Sequence, residues 1–105
     1  MNSTIETVSF NLIPGTTKDA FLAASEAVSA WVERQPGFQY RSLSQKDDGS
    51  WIDIVYWASR ADAEAANASF KQELGTSDFV KLIDNRTVIM EHSEAVIQQM
   101  AKQAA

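Results

Sequence analysis

Hydrophobic and polar residues alternate with a period of two in four stretches of the chain, a pattern typical of β-strands that bury one face. The stretches cover residues 4–13, 38–46, 49–58 and 86–92. In the first, two sets of side chains fall on opposite faces: Val8, Phe10 and Leu12 against Thr7, Ser9 and Asn11. The third stretch is the reference for placing the elements on either side of it, because a tight turn leads into it and a helix start follows it.

Helical spacing of apolar residues fills the gaps between these strands. It predicts an amphipathic helix over residues 17–34, with Thr16 as its N-cap and Asp19 as the capping partner. Its apolar positions are Phe21, Ala24, Val28, Trp31 and Val32. Proline and glycine in the sequence Gln35–Pro36–Gly37 end it.

A second helix is predicted from the Ser59 cap to about residue 72, before Leu74–Gly75 ends it. Ser77 is a candidate cap for a further short helical turn, and Asn85 indicates a turn before the last strand. The tail from Ser93 allows two conformations, a short amphipathic helix or a strand that continues to Val96.

Asp48–Gly49 predicts a two-residue hairpin, because both central positions of a type I′ turn need a positive φ. With that loop, four pairs follow across the hairpin: Lys46 with Trp51, Ser44 with Asp53, Ser42 with Val55, and Tyr40 with Trp57. Paired residues share a sheet face. The hairpin therefore has one aromatic face, and its other face carries Arg41, Leu43, Ile52, Ile54 and Tyr56.

The element order β-α-β-β-α-β predicts an α+β, ferredoxin-like domain that spans residues 1–105, with an uncertain tail at 94–105. The expected sheet has four antiparallel strands, with the first and third in the middle and both helices on one face. We assign the aliphatic sets of the first and third strands to the helices. The aromatic face would then pack sheet to sheet against a second copy, which predicts a homodimer with a partly polar space between the sheets.

The amino-acid composition argues against several classes of function. The 105 residues carry a net charge of −5 and no basic stripe, which disfavours nucleic acid and anionic membranes as partners. There is no cysteine and only one histidine, so thiol chemistry and a His-rich metal site within one chain are excluded. The start of the chain lacks a signal-peptide pattern and no apolar run could span a bilayer, so we expect a cytoplasmic protein.

The sequence resembles the antibiotic biosynthesis monooxygenase-like superfamily of dimeric α/β-barrel proteins over residues 4–95. The stretches that carry the resemblance are Gln35–Phe38, Val55–Ala63 and the short helix around Ser77–Phe79. The superfamily includes cofactor-independent oxygenases of polyphenolic substrates, haem-degrading enzymes, isomerases and members without a known activity. Fold alone does not decide among them.

The resemblance also suggests residues for a cavity. Trp57 matches a tryptophan at the end of the third strand in the family. In oxygenase-like and haem-degrading members, that tryptophan lines the cavity. An asparagine on the first strand matches Asn11. Many members carry a histidine on the second helix, where this chain has Asn67, Ala68 and Ser69; that departure argues against haem degradation and weakens the oxygenase interpretation.

Five residues are candidates for chemistry. His92 is the only histidine and is expected near Trp57 and Tyr40, where it would act as a general base or proton shuttle, unless it is a solvated residue paired with a neighbouring glutamate. Asp53, in mid-strand, is either a base or a structural hydrogen-bonding group. Trp57, Tyr40 and Asn11 are candidates to bind substrate; the alternative for Trp57 is packing on the sheet face, and for Tyr40 a place in the dimer interface. We interpret Arg41 as a side chain that reaches outward from the helix side, and the remaining acidic residues as surface charge.

The resemblance, together with these residues, implies a cofactor-independent monooxygenase-like enzyme that acts on a small aromatic or quinol-like compound in a cavity between helices and sheets. No metal or flavin motif is present, so we expect no cofactor. The alternative is a non-catalytic protein that binds a small hydrophobic ligand, or a dimer whose cavity is only a wet interface.

Overall fold

Four strands form one antiparallel sheet in a computed structural model that describes residues 2–102. The elements are β1 (Thr4–Phe10), α1 (Lys18–Glu33), β2 (Phe38–Gln45), β3 (Trp51–Trp57), α2 (Arg60–Leu74), α3 (Asp78–Lys81) and β4 (Ile89–Glu94). The strand order is β2-β3-β1-β4. The predicted α+β, ferredoxin-like fold with the first and third strands in the middle is therefore confirmed.

The helix starts follow from local capping. Ser59 caps α2 as predicted, with its hydroxyl accepting from the backbone N–H of Asp62 at 3.1 Å. The N-cap of α1 is Thr17, which accepts from the N–H of Ala20 at 3.1 Å. The prediction of Thr16 is wrong by one residue, because the helix begins at Lys18 and Thr17 is therefore the residue that precedes it.

The hairpin between β2 and β3 has a three-residue loop, residues 47–49, in place of the predicted two-residue loop. The N–H of Lys46 donates to the Ser50 carbonyl at 2.7 Å, and Gly49 takes the positive φ of +90° that such a loop needs. Trp51 consequently pairs with Gln45, and Asp53 pairs with Leu43. The predicted partners Lys46 and Ser44 are each wrong by one residue.

The one-residue slip puts the β2 residues Arg41 and Leu43 on the same face as Val55 and Asp53 of β3. Here the face of β3 that meets the helices carries Trp51, Asp53, Val55 and Trp57, which are all buried. The assignment of Ile52 and Ile54 to the helices is therefore wrong, whereas that of Val8 and Phe10 is confirmed. Burying two tryptophans removes more apolar surface from water than burying two isoleucines.

The helices cover one face of the sheet and divide the core into two clusters. Trp57 packs with Trp31, Val32 and Ala63 in the first cluster. Trp51 packs with Phe21 in the second, at 4.9 Å between ring centroids. The uncovered face of the sheet carries Ile5, Thr7, Ser9, Tyr40, Ser42, Ile52, Ile54, Tyr56 and Ile89.

The last strand begins three residues later than predicted, because a 3₁₀ turn occupies Asn85–Thr87. The Asp84 side chain caps this turn by accepting from the N–H of Arg86 at 3.1 Å. After β4, the N–H of Ala95 donates to the Ser3 carbonyl at 2.9 Å, so strand-like pairing continues one residue further. Residues 96–102 form no helix; the rest of the predicted tail lies outside the described residues.

No helix within residues 2–102 combines the length and the apolar character that crossing a membrane requires.

Gly37 joins the start of β2 to the start of α2. It has a φ of +80°, and its carbonyl accepts from the N–H of Ala58 at 2.8 Å. A β-carbon added there would overlap the side chain of Asp62, whereas one added at Gly15, where φ is +90°, would meet nothing within 4 Å.

We expect Gly37→Ala to lower the free energy of unfolding by about 1–3 kcal/mol more than Gly15→Ala, because only the first substitution adds a steric overlap. Urea denaturation of both variants measures the difference. Equal losses would show that the strained φ alone requires glycine at residue 37.

Candidate functional site

A cavity of about 520 Å³ lies between the helix-covered face of the sheet and the helices. Its lining is mostly apolar. β1 contributes Glu6, β3 contributes Asp53 and Trp57, and the helices contribute Trp31 and Asn67. The remaining lining residues are Val8, Phe10, Val28, Val32, Val55, Phe70, Lys71, Gly75, Phe79, Val80, Ile83, Asn85, Val88 and Met90.

Two tryptophans of this lining differ in how their indole N–H groups are bonded. Nε1 of Trp31 donates to Oε2 of Glu73 at 3.1 Å and to Oγ of Ser69 at 3.3 Å. Trp57 is 2% exposed, and no atom within residues 2–102 accepts a hydrogen bond from its buried Nε1. A buried donor without an acceptor costs about 1–3 kcal/mol. Trp57, a residue of the cavity lining, thus holds a buried donor that no described residue accepts from.

Glu6 is the centre of a buried polar cluster. Its Oε2 accepts from Nδ2 of Asn67 on α2 at 2.9 Å and lies 2.9 Å from Nε2 of His92 on β4. The described residues give no hydrogen bond to its other oxygen, Oε1. The interpretation of Glu6 as surface charge is wrong, because this residue is 7% exposed and faces the cavity. A buried carboxylate needs such donors to offset its loss of water.

Asp53 also faces the cavity, but both of its oxygens are bonded. Nε of Arg41 donates to Oδ1 at 3.0 Å, and Nη2 donates to Oδ2 at 2.8 Å. Nη1 of Arg41 donates to Oγ of Ser29 on α1 at 3.2 Å. Arg41 lies on the helix side as expected, but its guanidinium is turned inward to this pair, since its side chain is only 9% exposed. This geometry favours the structural alternative for Asp53.

The remaining candidates are separated from the cavity. Tyr40 pairs with Tyr56 on the uncovered face, because the register shifts between Phe38 and Tyr40; the expected pairing of Tyr40 with Trp57 is wrong. Tyr40 is 56% exposed. Asn11 follows the end of β1, where its backbone bonds with Thr87 and Asp84, and it is exposed. Neither residue lines the cavity.

His92 is paired with Glu6 across β1 and β4 but is not one of the cavity-lining residues. It lines a separate open cleft of about 640 Å³ together with Asn2, Thr4, Ala58, Ser59, Arg60, Ser93 and Glu94. Of the five predicted site residues, the cavity brings together Trp57 and Asp53, and His92 reaches it only through Glu6.

Sequence reasoning missed Glu6, Asn67 and Trp31 as parts of one site. One signal was available for Glu6, since it shares the strand parity of Val8 and Phe10 and must lie on the buried face with them. Its partners lie 61 and 86 residues away along the chain, and no local pattern indicates such contacts.

Residues 2–102 contain no group of three or more His, Asp or Glu side chains that could hold a metal ion.

We expect Arg41→Met to lower the free energy of unfolding by about 3 kcal/mol, because it leaves the carboxylate of Asp53 buried without a partner. Arg60→Met, at an exposed ion pair with Glu64, should change it by less than about 0.5 kcal/mol. The double variant Arg41→Met/Asp53→Leu should recover most of the loss. Thermal or urea unfolding of the three variants measures these changes in the free energy of unfolding. If the double variant loses as much stability as Arg41→Met, Arg41 stabilises the protein by packing and not by pairing with Asp53.

Comparisons with known proteins found solved structures that are similar to this one. Neither the protein-family models nor the curated proteins contain a match to this chain. Among solved structures, SnoaB, a cofactor-independent oxygenase from Streptomyces nogalater, is 19% identical with a TM-score of 0.68, over 98% of this chain and 100% of that one.

Two further structures have the same fold. A protein from Chloroflexus aurantiacus J-10-fl, provisionally assigned as an antibiotic biosynthesis monooxygenase, is 14% identical with a TM-score of 0.69, over 93% of this chain and 97% of that one. A conserved protein from Methanosarcina mazei Go1 is 10% identical with a TM-score of 0.72, over 89% and 92%. The chain therefore has the fold of the antibiotic biosynthesis monooxygenase-like proteins, as its sequence predicted.

Proposed function

We propose that this protein is a cofactor-independent, monooxygenase-like enzyme that acts on a small aromatic or quinol-like compound bound in the cavity between the helices and the sheet. The observation that carries the proposal is the buried Nε1 of Trp57, which has no acceptor within residues 2–102. A ligand oxygen in the cavity would accept its hydrogen bond. The likeness to a cofactor-independent oxygenase supports the same class of activity.

The lining of the cavity fits a flat, mostly apolar ligand. Aromatic rings of Trp31, Phe70 and Trp57 stand along it, with Trp31 and Phe70 in edge contact at 5.3 Å between centroids. A volume of about 520 Å³ falls in the range of small-molecule sites. Polar groups that would orient the ligand are few, which suits a fused aromatic ring with one or two oxygens.

The proposed chemistry uses Glu6 as the base. Its carboxylate takes a proton from an acidic ring carbon of the substrate, and the electron pair stays on the ring as an enolate whose oxygen accepts from Trp57. Dioxygen, the oxidant, adds to the electron-rich carbon and gives a peroxide, which then takes up a proton. Loss of water leaves a carbonyl, so that one CH₂ group and one O₂ become one C=O group and one H₂O.

This assignment changes the roles that the sequence suggested. Glu6 takes the place of Asp53, because both oxygens of Asp53 accept from Arg41 whereas Oε1 of Glu6 has no donor among the described residues. Trp57 keeps its predicted role in binding. The cytoplasmic location expected from the sequence stays a prediction.

We expect purified protein to accelerate oxygen uptake by anthrone, a fused-ring ketone with an acidic CH₂ group, and to form anthraquinone. Trp57→Phe should lower kcat/KM by about tenfold, because the ring remains but its hydrogen-bond donor is lost. Trp51→Phe is the matched control, since Trp51 is buried in the other core cluster and does not line the cavity. An oxygen electrode and absorbance of the quinone measure both.

The alternative, a non-catalytic ligand-binding protein, predicts a different result. Anthrone would then bind with an affinity that depends on Trp57 while oxygen uptake stays at the rate in buffer. Absence of both binding and turnover for a panel of anthrones and quinols would contradict the proposal.

We also propose that the protein is a homodimer whose interface is the uncovered face of the sheet. This face carries partly exposed Ile52, Ile54 and Tyr56 beside Tyr40, which makes an edge contact with Tyr56 at 5.8 Å between centroids. A sheet face that leaves large apolar side chains such as these partly exposed is usually covered in solution. A second copy offers the same face, and a twofold axis would place the two sheets face to face.

We expect sedimentation at micromolar concentration to give the mass of two 11.6 kDa chains. Ile54→Lys should shift the protein to the mass of one chain, because it places a charge in the middle of the interface. Ala27→Lys, an exposed position on α1, adds the same charge on the other side of the molecule and should leave the dimer intact. A monomeric wild-type protein would rule out this interface.

A further inference from the structure

Glu6 and His92 form a hydrogen-bonded pair whose members line two different spaces, the cavity beneath the helices and the outer cleft. Glu6 lines the cavity, His92 lines the cleft, and Nε2 of His92 lies 2.9 Å from Oε2 of Glu6. Both side chains are largely buried, with 9% of Glu6 and 15% of His92 exposed. One hydrogen bond thus connects two spaces that share no lining residue.

We infer that this pair is a route for protons between the cavity and solvent, in which His92 is a positioning and proton-exchange residue that acts through Glu6. The inference rests on the proposed function, because it needs a ligand in the cavity that gives a proton to Glu6. It adds a role for His92, and it assigns the outer cleft as the place where the proton meets water.

The surroundings of Glu6 support His92 as the exchanging group. The other hydrogen-bond partner of Glu6 is Asn67, whose amide donates but does not titrate. Asp53 is held by Arg41, and among the cavity-lining residues Lys71 is the other titratable one; it is exposed on α2 and forms no described hydrogen bond to Glu6. Arg60 and Glu94 line the cleft beside His92 but have no described contact with Glu6.

The proton transfers balance without any change in electrons. A C–H bond of the ligand breaks, its electron pair remains on the ring, and the carboxylate of Glu6 gains the proton. The Glu6 carboxyl then gives its proton to Nε2 of a His92 ring that carries its own proton on Nδ1, and the resulting imidazolium releases the Nδ1 proton to water in the cleft. Proton exchange of the ring with water restores the tautomer with the proton on Nδ1, ready for the next transfer. An imidazole is suited to this exchange because it gains and loses protons near neutral pH.

Hydrogen exchange without oxygen tests this route separately from oxygenation. Anthrone is incubated with the protein in D₂O under nitrogen, and mass spectrometry follows deuterium entering its CH₂ group. We expect the wild-type protein to accelerate this exchange over buffer and Glu6→Gln to abolish the acceleration. His92→Gln should slow the exchange by about tenfold or more, because glutamine can still hydrogen-bond Glu6 but cannot carry a proton.

Added imidazole distinguishes proton transfer from a structural role. Imidazole enters the cleft as a substitute proton carrier, so it should restore exchange in His92→Gln while leaving the wild-type rate unchanged. Arg60→Gln, a change in the same cleft at a side chain that is 59% exposed, is the matched control and should exchange like wild type. Melting temperatures of all variants check the fold, and His92→Asn replaces His92→Gln if the latter does not fold.

Each outcome of these experiments either supports the proton route or refutes it. Exchange at the wild-type rate in His92→Gln would overturn the route, since Glu6 would then exchange directly through the cavity. Slow exchange that imidazole does not restore would make His92 a structural residue and overturn it too. Wild-type protein that consumes oxygen with anthrone but does not accelerate exchange refutes the route alone, whereas protein that does neither refutes the proposed function with it.

Discussion

The alternation of side chains along β3 is the constraint on which the rest of the structure depends. The strand is central, and its period of two puts Trp51, Asp53, Val55 and Trp57 together under the helices. Burying the two tryptophans therefore also buries a carboxylate. The chain meets this cost with the two hydrogen bonds from Arg41, whose guanidinium also reaches Ser29 and so ties α1 to the sheet.

The fold was predictable because its signals are local and agree with one another. Strand periodicity, the serine caps at residues 59 and 77 and the break at Gln35–Gly37 are all present in short stretches of sequence. The faces of the hairpin were not predictable in this way. Asp48–Gly49 is compatible with a loop of two or three residues, and the choice between them, with the register shift after Phe38, decides which side chains of β2 lie beneath the helices.

The candidate site was predictable only in part. Trp57 follows from the resemblance and from its place at the end of β3, but Glu6 becomes significant only once Asn67 and His92 are brought to it from α2 and β4. His92 was expected beside Trp57 and Tyr40, yet the pairing of β4 with β1 sets it opposite Glu6. Residues so distant in sequence are brought together by the pairing of strands in the sheet. No local pattern in a single sequence indicates which strands pair.

The different surroundings of the three tryptophans make the protein's own fluorescence a reporter of its cavity. Trp31 and Trp57 line the cavity, whereas Trp51 is sealed in the second core cluster against Phe21. A ring that enters the cavity changes the polarity and the quenching around two indoles and leaves the third as an internal reference. Filling of the cavity is thus visible in the emission of the unlabelled chain, whatever the ligand is.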